Sequence, residues 1–546
     1  MADEDKTKSA EDKFVRAFVA TLLCNAPDSP TKEIVAMSVD QYKSPAPADQ
    51  PHVEVLIVGA GVSGIGAACR LTRERPASSY AVLEARQAIG GTWDLFRYPG
   101  VRSDTDMYTY SYPFKPWTAD KTMGNGEDIR RYLAEAAAEH GVDRHISFGT
   151  TVLGASWSSL DARWTVRAEV DGRPATWTCS FLYLCAGYYD HQRGHQPDFT
   201  GLGDYTGTFV HPQFWPRDLD YAGKKVVVIG SGATAVTLVP AMARSAARVT
   251  MLQRSPTYIA SLPSEDTAAK ALRRWLPANA AHRIARAKNA LLFQGLYAYS
   301  RALPKSAAAR IRRGALSYLA DPHYVDTHFT PSYKPWDQRV AFAPDGDFFQ
   351  AIRDGHARVV TDHIDRFVPE GIRLASGEVL EADVVVSATG LSMKPFGALD
   401  LRIDGASLDL ADTLTYRAVM LSGVPNLAFS FGYTNASWTL GADMSARFVC
   451  RLLDHMDRHG YAAATPAVEP AQKRLPFLTE LKSGYVQRGI DRFPRQGKRS
   501  PWRGRRNYLL DAATARTANI TLRMRFCGHA TTTTTATDTR TLSCAA

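Results

Sequence analysis

The chain has 546 residues, of which 45% are hydrophobic and 22% charged, so it can bury a large core and is neither a disordered polypeptide nor a small stapled scaffold. Its net charge of +10 is local: residues 265–316 carry 11 basic and 2 acidic side chains, as do residues 488–525, which leaves about −8 elsewhere. Such segments suit an anionic lipid surface, nucleic acid or a phosphate-bearing ligand, although a solvated helical surface is the plainer reading.

Residues 1–50 read as an N-terminal extension, a short helix near Phe14 to Cys24 followed by a Pro/Ala/Asp linker. Acidic residues at 3, 4, 5, 11 and 12 argue against a secretory or transit peptide, and no run reaches the roughly 18 apolar residues of a membrane span. The expectation is a cytoplasmic protein. From His52, "VEVLIVGAGVSG" predicts a buried strand, a glycine turn and a helix through Arg73, with a next strand "YAVLEA" at 80–85. A second opening of this kind, "KKVVVIGSGATAV", starts at Lys224 and is followed by "RVTMLQRS" at 248–255. Residues 263–330 turn rich in Ala, Arg and Leu with helical periodicity and predict a helical insertion. The predicted fold is α/β, with two Rossmann-like dinucleotide-binding domains. The first comprises 51–200 and 384–515, and the second, nested within it, comprises 201–262 and 331–383. The Thr-rich tail, 516–546, is expected to be poorly ordered. Seven cysteines (24, 69, 179, 185, 450, 527 and 544) show no C-x-x-C pair or zinc spacing and read as reduced thiols, and no metal site is expected.

The first turn is Gly59-x-Gly61-x-x-Gly64, with Glu84 twenty residues beyond it at the end of the next strand. Glycines allow the tight turn and close approach of a pyrophosphate to a helix N-terminus, and the carboxylate accepts bonds from ribose hydroxyls while disfavouring a 2′-phosphate. The second turn is Gly230-x-Gly232-x-x-Ala235, and its following strand ends in Arg254 and Ser255 instead of an acid. A guanidinium there suits a 2′-phosphate. One acidic and one basic site imply FAD and NADPH, the pairing of a flavoprotein that passes hydride to its flavin.

"GGTW", "RYPGVRSD" and "YTGTFVHPQFWP" at 205–216 resemble type I Baeyer–Villiger monooxygenases, class B flavoproteins whose motif is F-x-G-x-x-x-H-x-x-x-W-[PD]. The sequence supplies Gly207, His211, Trp215 and Pro216, with Tyr205 where Phe is usual. Trp215-Pro216 separates this pattern from the related N- and S-oxidising flavin monooxygenases. Further segments, among them "SDTDMYTYSYPFKPW", "LQRSPTYI", "PWDQR" and "GYTNASWTL", are similar to the EthA-like, ethionamide-activating branch over roughly residues 52 to 510.

The resemblance implies that Ser63, Glu84, Gly91, Thr92, Trp93, Asp104, Tyr110 and Val152 contact FAD. It implies that Arg102, Ser103 and Asp104, the turn Gly230, Ser231, Gly232, Ala233, Thr234, Ala235 and Val236, and Arg254 and Ser255 contact NADP. Arg339 in "PWDQRVAF" matches the family's arginine at the flavin face, and Gln338 stands where many members have Lys, which shifts 2′-phosphate recognition onto Arg254.

The implied activity is NADPH- and O2-dependent conversion of ketones to esters or lactones through a C4a-peroxyflavin, with sulfoxidation as a side activity and N/S-oxygenation as the alternative. A fixed cation such as Arg339 keeps the peroxide anionic and stabilises a developing oxyanion, with Asp104 holding the cation in place. His211 is expected on the hinge between the domains more than as a general base. Asn435, Ser437 and Trp438 are expected near the substrate. Partners are a ketone or thioether and O2, without nucleic acid, and peripheral membrane association follows from the mixed apolar and basic stretch "NALLFQGLYAYSRAL".

Overall fold

The computed structural model describes residues 52–528, apart from 470–471, 479–481 and 516, and the backbone of strand Ser543–Ala545. The expected extension at 1–50 lies outside the described residues.

Strand β1 (His52–Val58) runs parallel between β2 (Tyr80–Leu83) and β6 (Arg173–Leu184), with Val55, Leu56 and Ile57 fully buried. An apolar run without alternation is what a strand covered on both faces requires. Helix α1 (Val62–Glu74) packs one side of this sheet, and β3 (Ile146–Ser147) adds to its edge beside β2. On the other flank β4 (Thr150–Ser158), β5 (Arg163–Val170) and β6 form an antiparallel meander. A short helix, α2 (Met107–Tyr110), lies between these parts of the chain.

The chain leaves the first sheet through β7 (Tyr189–Gly194) and builds a second, parallel sheet. It contains β8 (Thr208–Val210), β9 (Lys225–Ile229) and β10 (Arg248–Gln253), with α3 (Ala233–Met242) crossing between the last two. β11 (Ile259–Leu262) then pairs in parallel with β12 (Ala341–Pro344), and β13 (Ala357–Thr361) closes one edge of the second sheet beside β10. Strand Val384–Ser387, expected in the returning part of the first domain, is instead a central strand of this sheet, between β9 and β8. Its four residues are all buried, so the domain boundary falls after them. The chain returns through Leu391–Met393, antiparallel to β7, so the two connections run side by side. Strand Leu427–Phe429 then pairs in parallel with β6, which nests the second domain inside the first.

Between β11 and β12 stand four helices: α4 (Thr267–Trp275), α5 (Ala278–Ala302), α6 (Pro304–Leu319) and α7 (Pro322–Phe329). The first half of α5 docks on the end of α2. The buried Arg286 donates from Nη1 to the carbonyl oxygens of Tyr108 (3.0 Å), Thr109 (3.0 Å) and Ser111 (2.7 Å), satisfying acceptors that a helix end leaves without partners. His282 Nε2 lies 3.3 Å from the Tyr112 carbonyl, and burial beside Arg286 lowers its pKa to about 4.

Helix α8 (Trp438–His459) packs against α1, and α9 (Tyr508–Ala515) packs against both α8 and α5. The tail departs from expectation at Met524–Gly528, a strand antiparallel to Tyr461–Pro466 with Phe526 and Cys527 buried. The threonine-rich composition concealed a five-residue strand that has apolar surface to bury. Cys527 is disulfide-bonded, not reduced as expected; the strand register sets Cys544 opposite it. Cys69, Cys179, Cys185 and Cys450 are free and buried. Among the described residues no helix is long and apolar enough to cross a membrane.

Candidate active site

The first turn is built on backbone proximity. Gly59 has φ of 101°, and a Cβ on Gly64 would stand 1.8 Å from the Gly59 carbonyl oxygen, so neither position accepts a side chain without displacing the main chain. Gly61 faces Gly91, itself at φ 56°, across a gap in which an added Cβ would sit 3.6 Å from the Gly91 Cα. Glu84, only 6% exposed, accepts the Ala60 N–H on Oε2 at 2.6 Å and the Arg86 N–H on Oε1 at 2.9 Å. Burial pushes its pKa up against these two donors. The carboxylate thus fixes the shape of the turn it faces.

From this turn a cavity of about 400 Å³ continues past Ser63, Thr92, Trp93, Tyr110 and Val152 to Asp104 and Arg339. Trp93 Nε1 donates to the Tyr110 hydroxyl (2.7 Å), and Trp438 Nε1 donates to Ser63 Oγ (2.8 Å). The sequence-predicted residues of the first site therefore meet in one place. Gly64 contributes beneath it, through packing.

Arg339 and Asp104 form a two-point pair, Nε to Oδ2 at 2.9 Å and Nη2 to Oδ1 at 3.3 Å. Burial disfavours the guanidinium charge, but the Asp104 carboxylate outweighs it and raises the pKa, so the group, with Tyr485, Tyr188 and Tyr189 around it, is a permanent cation. Tyr188 and Tyr189 approach within 3.0 Å through their hydroxyls, and Tyr188 also lies against Trp438 (5.2 Å between rings). Burial raises the pKa of all three tyrosines, which stay protonated donors. Sequence reasoning missed them. The signal was the Tyr-Tyr pair just after β6, at the end of a parallel strand where ligand crevices form.

Asn435 and Ser437 do not line the cavity. Asn435 Nδ2 donates to the Arg506 carbonyl (2.9 Å) and Ser437 Oγ sits 2.6 Å from Thr109 Oγ1, so both hold the loop whose Thr434 and Ala436 reach the cavity. Their burial, 5% and 3% exposed, leaves them structural.

The second turn is separate and open. Gly230 has φ of 121°, and an added Cβ would lie 2.4 Å from the Ala388 carbonyl oxygen, whereas nothing lies within 4 Å of one on Gly232. Ser231, Ala233 and Thr234 are accessible, Ala235 and Val236 anchor α3 in the core, and Arg254 and Ser255 are exposed just after β10. Arg102 and Ser103, expected to join them, are otherwise engaged. Arg102 pairs with Asp347 through Nη1 (2.5 Å) and Nη2 (3.3 Å), and buried Ser103 donates to the Thr105 carbonyl (2.7 Å).

The 205–216 segment lies outside the cavity lining. Tyr205 stacks edge-on against Phe367 (5.8 Å) and donates to the Ala382 carbonyl (3.0 Å), which accounts for Tyr in place of Phe. Gly207 leaves room for that ring, since an added Cβ would stand 2.3 Å from the Tyr205 hydroxyl. His211 packs over Gly194 at the end of β7, where a Cβ would overlap its ring at 2.2 Å, and its Nδ1 accepts the Gln213 N–H (3.2 Å). Burial lowers its pKa against the backbone of Gly390 and His195 in the two connections. It thus sits at the crossing between domains. Trp215, with Pro216 after it, packs near Tyr221 (6.4 Å).

Residues 52–269 match a family model described as flavin-binding monooxygenase-like. The chain is 49% identical to the FAD-containing monooxygenase EthA of Mycolicibacterium smegmatis, over 84% of this chain and 94% of that protein. The chain belongs to the flavin-binding monooxygenase family. Other members include EthA of Mycobacterium tuberculosis, 48% identical over 86% of this chain and 96% of that one, and a probable FAD-binding monooxygenase AlmA of Acinetobacter baylyi, 45% identical over 86% and 95%. Among solved structures, an oxidised steroid monooxygenase bound to NADP superposes with a TM-score of 0.65 at 24% identity, covering 76% of this chain and 88% of that one. An open cyclohexanone monooxygenase gives 0.63 at 20%, covering 76% and 90%. The expected two-domain α/β fold and the resemblance to EthA-like flavin monooxygenases are both borne out.

Proposed function

We propose that this flavin monooxygenase uses FAD and NADPH to insert one atom of O2 beside the carbonyl of a ketone, giving an ester or lactone, and that it works in contact with a membrane surface. The observation that carries the chemistry is the Arg339–Asp104 pair, a fixed cation on the cavity that starts at the Gly59–Gly64 turn.

The residues present fit FAD. The Gly59–Gly64 turn and the N-terminus of α1 offer backbone N–H groups to a pyrophosphate, Glu84 faces the cavity where a ribose is expected, and the glycine–glycine gap at Gly61 and Gly91 leaves a slot clear of side chains. Bound there, and reduced by NADPH, the flavin supplies the electrons that activate O2. Gly230, Gly232 and Arg254 would take the NADPH pyrophosphate and 2′-phosphate at the open turn.

Arg339 provides positive charge where the substrate oxygen becomes negative. Asp104 restricts the guanidinium through two contacts, so little reorganisation is needed as charge develops, a contribution worth about 10²–10³ in rate for one donor. Tyr188, Tyr189 and Tyr485 add protonated hydroxyls around it. Trp215-Pro216 in the 205–216 segment favours this reading over N- or S-oxidation.

The test is NADPH consumption by flavin-loaded protein with linear, cyclic and aryl ketones and with thioethers, coupled to mass spectrometry. Ester formation should fall at least 100-fold in Arg339→Ala while flavin stays bound. Oxidation of thioethers or amines only, undiminished in that variant, would replace the ketone reading with N/S-oxygenation.

A further inference from the structure

Residues 267–320 contain eleven Lys and Arg and no Asp or Glu. Six of the eleven are engaged. Lys270, Arg273, Lys288, Arg301 and Arg312 pair with carboxylates on Asp120, Glu265, Asp266, Asp337 and Asp326, and Arg286 caps α2. Arg274, Arg283, Lys305, Arg310 and Arg313 form no ion pair among the described residues.

The long helix α5 changes partner halfway along. Ala281 and Ala285 belong to one stripe, buried at 1% exposure each, and the stripe continues at i+11 and i+15 as Leu292 and Leu296, with Leu303 at the helix C-cap. These leucines are 51%, 37% and 56% exposed, with Leu291 beside them at 41%. An apolar stripe that stays apolar after leaving the core has a second surface to meet. Two residues past Leu303 the charges begin: Lys305, then exposed Arg310 and Arg313 on α6.

We propose that this corner, the C-terminal half of α5 with the start of α6, docks on an anionic lipid bilayer. Leucines set in the acyl boundary and cations at the phosphate level are the arrangement an interfacial helix uses. A protein partner would be expected to answer at least some of the cations with fixed geometry, whereas a lipid surface asks only for net charge and apolar depth. The α5–α6 corner offers both, without a carboxylate anywhere in 267–320 to repel the surface. The position also suits the active site. Helix α9 packs on α5, its Asp511 accepts the Tyr433 hydroxyl (2.9 Å), and Tyr433 lines the cavity, so α5 is linked to the cavity wall through one helix. Resting on the ketone reading above, this assigns the substrate to lipophilic, membrane-dissolved ketones.

The flavin-loaded enzyme is to be sedimented with vesicles of phosphatidylglycerol and of phosphatidylcholine, without substrate. Binding should favour phosphatidylglycerol and weaken with salt. L292D/L296D should lower affinity at least tenfold. K305Q/R310Q/R313Q should lower it about 100-fold, since each cation near such a surface contributes roughly fivefold. Both variants should oxidise a short, water-soluble ketone at the unmodified rate. The proposal is overturned by absence of binding to phosphatidylglycerol at low salt, by binding that L292D/L296D leaves unchanged, or by loss of soluble-ketone turnover in these variants. It is equally overturned if the wild type forms a dimer that L292D/L296D dissolves and that ignores vesicles. Vesicle binding by an enzyme that oxidises only thioethers would keep the docking surface and remove the ketone reading alone.

Discussion

The two dinucleotide turns follow one sequence pattern and are used differently. The first is closed: Gly59 and Gly64 are in backbone contact, Gly91 faces Gly61, and a buried Glu84 ties the turn to its own strand. The second is open, with nothing within reach of a Cβ at Gly232 and with Arg254 and Ser255 on the surface. A closed bed suits a ligand that stays through many turnovers, and an open dock suits one that must leave after each. Enclosure, more than the motif, separates a resident cofactor from a co-substrate.

The widest contrast is expected between an alanine at Gly64, the third position of the first turn, and one at Gly232, the second position of the other. Gly64→Ala drives a methyl into a carbonyl oxygen and should cost more than about 4 kcal/mol, yielding no soluble flavin-loaded protein. Gly232→Ala, at φ −75° with open space around it, should keep both fold and flavin absorbance, with the KM for NADPH raised less than tenfold. Equal tolerance at both positions would break the comparison.

A smaller effect tests how firmly the closed half is held by the insertion. His282 has its pKa lowered from 6.5 to about 4 by burial beside Arg286, so the folded state resists its protonation. The stabilisation is present above the unfolded value and is lost as pH falls from about 6.5 through 4, on the order of 3 kcal/mol in all. Thermal denaturation across that window should show a steeper acid loss in the wild type than in His282→Gln. The smallest effect belongs to the open dock. Arg254→Ala should raise the KM for NADPH about tenfold, about 1.4 kcal/mol, and leave the KM for NADH and the flavin content unchanged.

What the sequence made legible is what short spacing constrains. Glycines whose neighbours are fixed by a strand and a helix, and an acid at the end of the next strand, need no knowledge of distant partners. Arg102 shows the limit, because its carboxylate partner, Asp347, lies 245 residues away and no local pattern announces it. The Tyr188-Tyr189 pair and Tyr485 gather around Arg339 from two separate segments, so the composition of the pocket depended on tertiary packing. Asn435 has the polarity of a pocket residue, yet its amide serves the Arg506 carbonyl. The strand Met524–Gly528 was hidden by its threonine-rich neighbours, and Val384–Ser387 by a boundary that only its pairing with β8 and β9 reveals.

The nesting of one domain inside the other also sets a timetable for biosynthesis. The second sheet draws all its strands from one continuous stretch, 208–387, and can close as soon as that stretch leaves the ribosome. The first sheet cannot, because β6 ends at Leu184 and its neighbour Leu427–Phe429 begins 243 residues later. At translation rates of about 5–20 residues per second this is a wait of roughly 12–50 s, during which the edge of β6 that will receive Leu427–Phe429 has no partner. The domain begun first is finished last, and the nascent chain carries an open sheet edge for chaperones to guard while the inserted domain is already folded.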